Sequence, residues 1–235
     1  MTFDTIRLDY KIIYQIVEPG SKVLDLGCGS GELIYFLAKE KGALVQGIEL
    51  SEEAIYKCVE KGLSVFHGDI DSGLIEYPDK SFDYVILNQS MQEVRKADFV
   101  ITEALRVGQK VIVGFPNFAY WSARLRLFFR GKAPMTASLP YHWYDTPNLH
   151  FLSILDFRDY CRDKGITVER VVCLDGPRRV VLFPNLFGQT GIFVVSRGGG
   201  KGRGRKTASR RTRRDRGKAV TVRPRRPSTR KGGAS

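Results

Sequence analysis

The chain has 235 residues, and its hydrophobic share of 43% is enough for a real core in one domain, which excludes a chain that is disordered throughout. The formal net charge of +13 does not describe this core, because residues 198–235 hold 15 Lys and Arg against one acidic residue, whereas residues 1–197 hold 23 against 24. The body is nearly neutral, so only the tail has the charge of a polyanion-binding segment.

The four cysteines are scattered, without a CxxC pair or a Cys/His spacing that suits a metal. We therefore expect reduced thiols in the core or near a ligand, and no metal site. The N-terminus has early acidic residues and no apolar signal region, and no apolar run approaches the ~18 residues of a membrane span. These features predict a cytoplasmic protein with no membrane contact.

In chain order, an amphipathic helix is predicted over residues 1–18, with Ile6, Tyr10 and Ile13 on its apolar face. A short apolar strand and a glycine-rich turn follow, and strands and helices then alternate. The predicted strands are 22–26, 43–49, 63–69, 82–88 and 110–115, and the predicted helices are 32–41, one opened by Ser51, and 93–106. This alternation is typical of a parallel α/β sheet with right-handed crossovers.

Residues 116–153 interrupt the alternation as a long insert, after which the sequence predicts a helix over 154–164 and strands over 167–174 and 191–196. Only a loop is predicted between these two strands, so we expect them to form an antiparallel hairpin. The predicted fold is a mostly parallel, seven-stranded, Rossmann-like sheet in a domain of residues 1–197. Residues 198–235 have almost no large apolar side chains, which predicts a disordered tail.

The turn in VLDLGCGSG follows a buried strand and opens a helix, as a nucleotide-binding turn does. Gly27 and Gly29 permit a positive φ and a close approach of a ligand to the backbone. Glu32 stands where a dinucleotide fingerprint has Gly or Ala, and Asp25 would repel a phosphate but suits a cationic ligand. The alternative is a turn that serves packing alone.

DLGCGSG resembles the first motif of class I S-adenosylmethionine-dependent methyltransferases. The resemblance implies that S-adenosylmethionine or S-adenosylhomocysteine binds at strand ends. In that reading, the turn holds the amino acid moiety, Glu49 accepts the ribose hydroxyls, and Asp69 lies near the adenine amino group. The implied cofactor-binding residues are Asp25, Gly27, Cys28, Gly29, Gly31, Glu49, Leu50, Asp69, Ile70 and Asn88. The alternative for a single Asp at a strand end, such as Asp69, is a helix cap.

Three longer stretches, SFDYVILNQSMQEV (81–94), EALRVGQKVIVGFPNFAYWSARL (103–125) and LPYHWYDTPNLHFLSILDF (139–157), resemble the methionine biosynthesis protein MetW family. The resemblance covers nearly all of residues 1–196. It implies a role in methionine synthesis beside homoserine O-acyltransferase, with which the protein would associate and whose activity it would support. Whether the chain transfers a methyl group itself stays open.

The segment LPYHWYDTPNLH is too rich in proline and turn formers for a regular element, yet it has three aromatic residues. We expect it to cap the methyl end of the cofactor, with Trp143 and Tyr144 packed, and its outer aromatic residues are a candidate docking surface. His142, Tyr144 and His150 are candidates for chemistry, but His150 is better explained as a hydrogen-bonding residue at an element boundary. No catalytic residue is assigned, and the lack of N/D-P-P-Y after the fourth strand argues against methylation of nucleic-acid amines.

Gln89, Gln92 and Glu93 are expected either above the ligand-binding edge of the sheet or at a solvated helix start. WSARLRLFFRGK (121–132) is predicted to be an amphipathic helix whose arginines suit an acidic partner, or else a solvated basic face over a core stripe. The tail would bind polyanions weakly, or it has no dedicated partner. The sequence thus leaves three functions: an accessory protein of the acyltransferase, a small-molecule methyltransferase, and a nucleic-acid-associated protein acting through its tail.

Overall fold

The computed structural model describes residues 6–198, and within this range eight strands form one sheet in the order β3-β2-β1-β4-β5-β8-β6-β7. The strands are β1 (Lys22–Leu26), β2 (Leu44–Glu49), β3 (Val65–His67), β4 (Phe82–Asn88), β5 (Gly108–Pro116), β6 (Ile166–Asp175), β7 (Arg178–Val180) and β8 (Thr190–Arg197). The helices are α1 (Leu8–Ile16), α2 (Glu32–Lys41), α3 (Glu52–Glu60), α4 (Ala97–Val107), α5 (Trp121–Arg130), α6 (Ile154–Asp163) and α7 (Pro184–Phe187). No helix in this part of the chain has the length and hydropathy that crossing a bilayer requires.

The five strands β3, β2, β1, β4 and β5 run parallel to their neighbours, with Asp25 of β1 opposite Gly47 of β2 and Ile86 of β4. Their carboxyl ends therefore share one edge of the sheet, the place where open α/β sheets bind ligands. β8 lies between β5 and β6 and is antiparallel to both. The predicted α/β class, with a mostly parallel sheet and antiparallel C-terminal strands, is confirmed.

The predicted count of seven strands is wrong for residues 6–198, because the loop assigned to 175–190 contains β7 and α7. β7 is a three-residue strand that pairs with the end of β6 across a tight turn at Gly176, where φ is +53°. The sequence RRV shows no apolar alternation, so it carries no strand signal. The predicted antiparallel pairing of the two long C-terminal strands is confirmed, although they do not form a simple hairpin.

Several predicted boundaries shift. α1 begins at Leu8 and ends at Ile16, and residues 1–5 lie outside the described residues. α4 begins at Ala97 instead of residue 93, because the backbone N–H groups of Arg95 and Lys96 donate to the Asp71 carboxylate and hold a turn there. The predicted domain boundary at residue 197 coincides with the end of β8. The predicted disordered tail lies outside the described residues, except for Gly198. The domain boundary and the disorder of the tail therefore stay predictions.

The core has two layers, one on each face of the sheet. Successive residues of β4 point to opposite faces, so Val85 and Leu87 face α4 and α6, whereas Tyr84 and Ile86 face α1 and α2. In the first layer, Phe115 is fully buried, with its ring 5.2 Å from that of Phe157 and 5.7 Å from that of Phe193. This aromatic cluster joins β5, β8 and α6.

We predict that Phe115→Ala lowers the free energy of unfolding by about 3–5 kcal/mol, because it leaves a cavity in this cluster. Phe128→Ala is the matched control, since Phe128 is 81% exposed and its loss should change the same quantity by less than about 0.5 kcal/mol. Urea unfolding followed by circular dichroism measures both. Equal effects of the two substitutions would contradict the assignment of Phe115 to the core.

Candidate cofactor site

The glycine turn, residues 27–31, connects β1 to α2. Its backbone conformation and its close neighbours require glycine at two positions. Gly27 has φ +76°, and a Cβ there would lie 2.8 Å from Cβ of Ser90. Gly31 has φ +74°, and a Cβ there would lie 2.6 Å from the Leu63 side chain and 2.7 Å from the Cys58 sulfur. Neighbouring side chains therefore pack directly against the turn at these two glycines, whereas a Cβ at Gly29 would meet nothing within 4 Å.

Glu49 ends β2 and ties that strand to the glycine turn. Its Oε2 accepts a hydrogen bond from the Gly29 N–H at 2.8 Å, and its Oε1 accepts from the N–H groups of Leu50 at 2.9 Å and Ser51 at 3.0 Å. A carboxylate has about four acceptor positions, so Oε2 keeps one free for a ligand hydroxyl. The structure thus brings Gly29, Glu49 and Leu50 together, as the resemblance implies.

Asp25, on β1 just before the turn, is a buried carboxyl group that accepts no hydrogen bond from the described residues. It is 4% exposed. Burial, and after it the negative charge of Glu49, raises the pKa of Asp25 to about 7. A cation bound beside these two carboxyl groups would offset both effects, whereas an anion would strengthen them.

Asn88, at the end of β4, hydrogen-bonds Asp9 of α1, a residue that the sequence did not single out. Its Nδ2 donates to Oδ2 of Asp9 at 3.0 Å, and Arg7 pairs with the same carboxylate at 2.6 Å. Asp9 is 5% exposed. A signal was present, since Asp9 precedes the buried Ile13 by four residues and so lies on the apolar face of α1.

Asp69 and Ile70 follow β3, but the structure does not place them in one cavity with Glu49. Asp69 is exposed, and its Oδ1 accepts from the Asp71 N–H at 2.9 Å, which caps a short 3-10 turn. The helix-cap alternative therefore describes Asp69 in this structure. Both residues line a cavity of about 510 Å³ with Gln46 and residues of the following loop. A role toward adenine stays a prediction.

Residues 89–93 link the sheet edge to the aromatic segment. Gln92 is 3% exposed, and its backbone oxygen accepts from the N–H groups of Leu149 at 2.8 Å and His150 at 3.0 Å. Gln92 is therefore a structural residue and not a solvated helix start. Glu93 is exposed, and partial desolvation, and after it the negative charge of Glu49, raises the pKa of its carboxyl group.

The aromatic segment does not pack as predicted. Trp143 is 78% exposed and Tyr144 is exposed as well, so the expectation that both are buried is wrong. Trp143 lies at a cavity of about 510 Å³ instead of against filled core, so its ring has little to bury against. This insert cavity is lined mainly by Phe118, Leu127, Pro134, Leu139, Tyr141, His142, Trp143 and Phe151, with no residue of the glycine turn among its lining.

Of the three candidate catalytic residues, only His142 and Tyr144 lie close together. The rings of His142 and Tyr144 stack with centroids 5.1 Å apart, beside the insert cavity. His150 lies in a separate hollow with Arg95 and Phe99. None of the three shares a cavity with Glu49, so a catalytic role for them stays a prediction.

The cysteines are free and buried, as the sequence predicts. Cys28 and Cys58 lie under the glycine turn, where the Cys58 thiol donates to the Gly29 carbonyl at 3.2 Å. Burial raises the pKa of both thiols. Neutral thiols here support the turn by packing and hydrogen bonding, and Cys28 adds no charge to the site.

These features, a glycine turn after β1 and an acid at the end of β2 of a mostly parallel sheet, define the class of fold. A SAM-dependent methyltransferase from Archaeoglobus fulgidus superposes with a TM-score of 0.56 over 80% of this chain and 90% of its own, at 17% identity. The fold is therefore that of class I methyltransferases.

The family follows from the sequence. The family model described as methionine biosynthesis protein MetW matches residues 7–195, so the chain belongs to that family. The bifunctional methionine biosynthesis protein MetXA/MetW of Rhodopirellula baltica is 33% identical over 180 residues, which are 73% of this chain and 29% of that protein. The chain thus spans under a third of that relative. A demethylmenaquinone methyltransferase of Listeria welshimeri is 25% identical over 68% of this chain and 76% of its own length.

The raised pKa of Asp25 predicts a pH dependence of stability. Between its usual pKa of 3.8 and its folded pKa of about 7, Asp25 ionises in the unfolded chain but stays protonated in the folded one. The favourable contribution of Asp25 to the free energy of unfolding is therefore complete below about pH 4, and it is lost as the pH rises through about 7. Asp25→Asn removes this loss, so its stability relative to wild type should rise by about 2–3 kcal/mol from about pH 5 to about pH 8.

Urea unfolding of both proteins at the two pH values measures this difference. Asp163→Asn is the control, because Asp163 is exposed. The stability of this variant relative to wild type should be the same at the two pH values. A difference between Asp25→Asn and wild type that is the same at both pH values would contradict a buried, protonated Asp25.

Proposed function

We propose that this chain binds S-adenosylmethionine at the glycine turn and acts in methionine synthesis by associating with a homoserine O-acyltransferase and supporting its activity. The observation that carries the proposal is the relative in which a MetW part and a MetXA part form one chain. Two proteins joined in one organism commonly work together where they are separate. The MetX part of that relative is the homoserine acyltransferase.

The chemistry of the site supports a cationic cofactor. Asp25 and Glu49 lie on the neighbouring strands β1 and β2, and burial and then the charge of Glu49 raise the pKa of Asp25. The glycine turn is open at Gly29, where a Cβ would meet nothing within 4 Å. S-adenosylmethionine carries a sulfonium, an ammonium group and two ribose hydroxyls, and each is a cation or donor that carboxylates favour. The chain's residues would hold and orient this cofactor. No general base is assigned, so the proposal includes no methyl-transfer step.

Calorimetry with S-adenosylmethionine tests the cofactor part. We predict that Glu49→Gln weakens binding about 10- to 100-fold, because the amide offers one acceptor oxygen where the carboxylate offers two. Glu60→Gln, at the exposed end of α3, is the matched control and should bind like wild type. Thermal unfolding of each variant checks that the fold is kept. Absence of binding by wild type, or unchanged affinity in Glu49→Gln, would contradict this part.

The partner part is tested by gel filtration and enzyme assay with a purified homoserine O-acyltransferase from the same source. We predict that the full chain elutes together with the acyltransferase and raises its rate of homoserine acylation. Serum albumin at equal concentration controls for nonspecific stabilisation of the enzyme. Separate elution together with an unchanged rate would contradict the proposed association.

A further inference from the structure

Helix α5 has apolar side chains that are exposed to water. Phe128 is 81% exposed and Phe129 is 74% exposed, and Leu125 and Leu127 are also exposed. Only Ala123 of its ten residues is buried. The alternative from the sequence, a basic face over a core stripe, is therefore wrong, because the apolar stripe does not reach the core. An exposed apolar patch of this kind marks an interaction surface.

Another side of α5 borders the aromatic segment, because Leu127 lies about 100° from Phe128 around the helix axis. The insert cavity is bounded by Leu127 of α5 and by Tyr141 and Trp143, so the helix and the segment border the same hollow. We call Leu127, Phe128, Phe129, Tyr141 and Trp143 the aromatic face. It combines projecting rings with a concave pocket, as protein interfaces do around an anchoring side chain.

The surroundings of the aromatic face are basic. Residues 117–144 contain Arg124, Arg126, Arg130 and Lys132 and no Asp or Glu, a net of +4 in a body whose net charge is −1. Within residues 6–198, none of these four makes an ion pair with a carboxylate. The positive charge is therefore free for a partner that supplies acidic groups.

We propose that the aromatic face is the surface on which the homoserine O-acyltransferase docks, which rests on the proposed function. The partner places an apolar side chain in the insert cavity and acidic side chains opposite the basic rim. A second copy of this chain does not fit, because two +4 rims would face each other across a symmetric contact. A lipid surface would leave the concave pocket unfilled, whereas a protein side chain would fill it.

The test compares two double substitutions in the full chain. Phe128→Glu with Phe129→Glu places two carboxylates on the aromatic face, and we expect the Kd for the purified acyltransferase to rise about 30-fold or more, as for interface hot spots. Tyr56→Glu with Val59→Glu is the matched control: both residues are exposed on α3, which packs on β2 and β3 at the far end of the sheet. The control should bind within about twofold of wild type.

A second variant tests the charge. Arg130→Glu with Lys132→Glu reverses two rim charges that have no hydrogen bond within residues 6–198, so the fold should be unaffected. We expect slower association with the acyltransferase and a weaker dependence of the association rate on salt, both measured by surface plasmon resonance. An association rate equal to that of wild type at low salt would overturn the charge argument.

The outcomes separate the two proposals. If wild type binds the acyltransferase and the Phe128/Phe129 variant binds equally well, the docking surface is wrong while the association stands. If wild type does not bind at all, the association fails and the docking surface with it. Two results would assign the face to another occupant: binding to phosphatidylglycerol vesicles that only the Phe128/Phe129 variant loses, or a wild-type dimer that only this variant dissociates, each with acyltransferase binding intact.

Discussion

The Glu49 carboxylate holds the ligand-binding edge of the sheet together. It accepts from the Gly29 N–H across the strands and from the N–H groups of Leu50 and Ser51 at the end of its own strand. These bonds fix the glycine turn beside β2, and they place a negative charge next to Asp25, whose pKa is raised in part by that charge. The position of the turn and the charge that a ligand meets depend on this group, and its charge adds to the burial that keeps Asp25 protonated.

The body of the protein is nearly neutral, but its charges are separated by position. The sheet edge collects the carboxyl groups of Asp9, Asp25 and Glu49, whereas the insert is basic and aromatic. The first surface suits a small cationic ligand and the second suits an acidic protein. The backbone of Gln92, which accepts from the end of the aromatic segment, connects the two surfaces.

The parts predictable from the sequence are those set by local patterns. The glycine turn, Glu49 at a strand end and the parallel sheet follow from apolar runs, glycine spacing and alternation. Asp9 was missed because its partner Asn88 is 79 residues away, although its place on an apolar helix face was a signal. The exposure of Trp143 was unpredictable for the same reason: composition marks it as apolar, but only the tertiary structure shows an unfilled cavity beneath it.

Binding of S-adenosylmethionine at the glycine turn should leave the aromatic face unchanged, because the two surfaces are separate. Amide chemical shifts of the ¹⁵N-labelled full chain, followed during titration with S-adenosylmethionine, measure this. The signals of Gly27, Gly29 and Leu50 should move, while those of Phe128 and Phe129 should stay in place. Unmoved signals at the glycine turn, with changes confined to the aromatic face, would rule out binding at the turn.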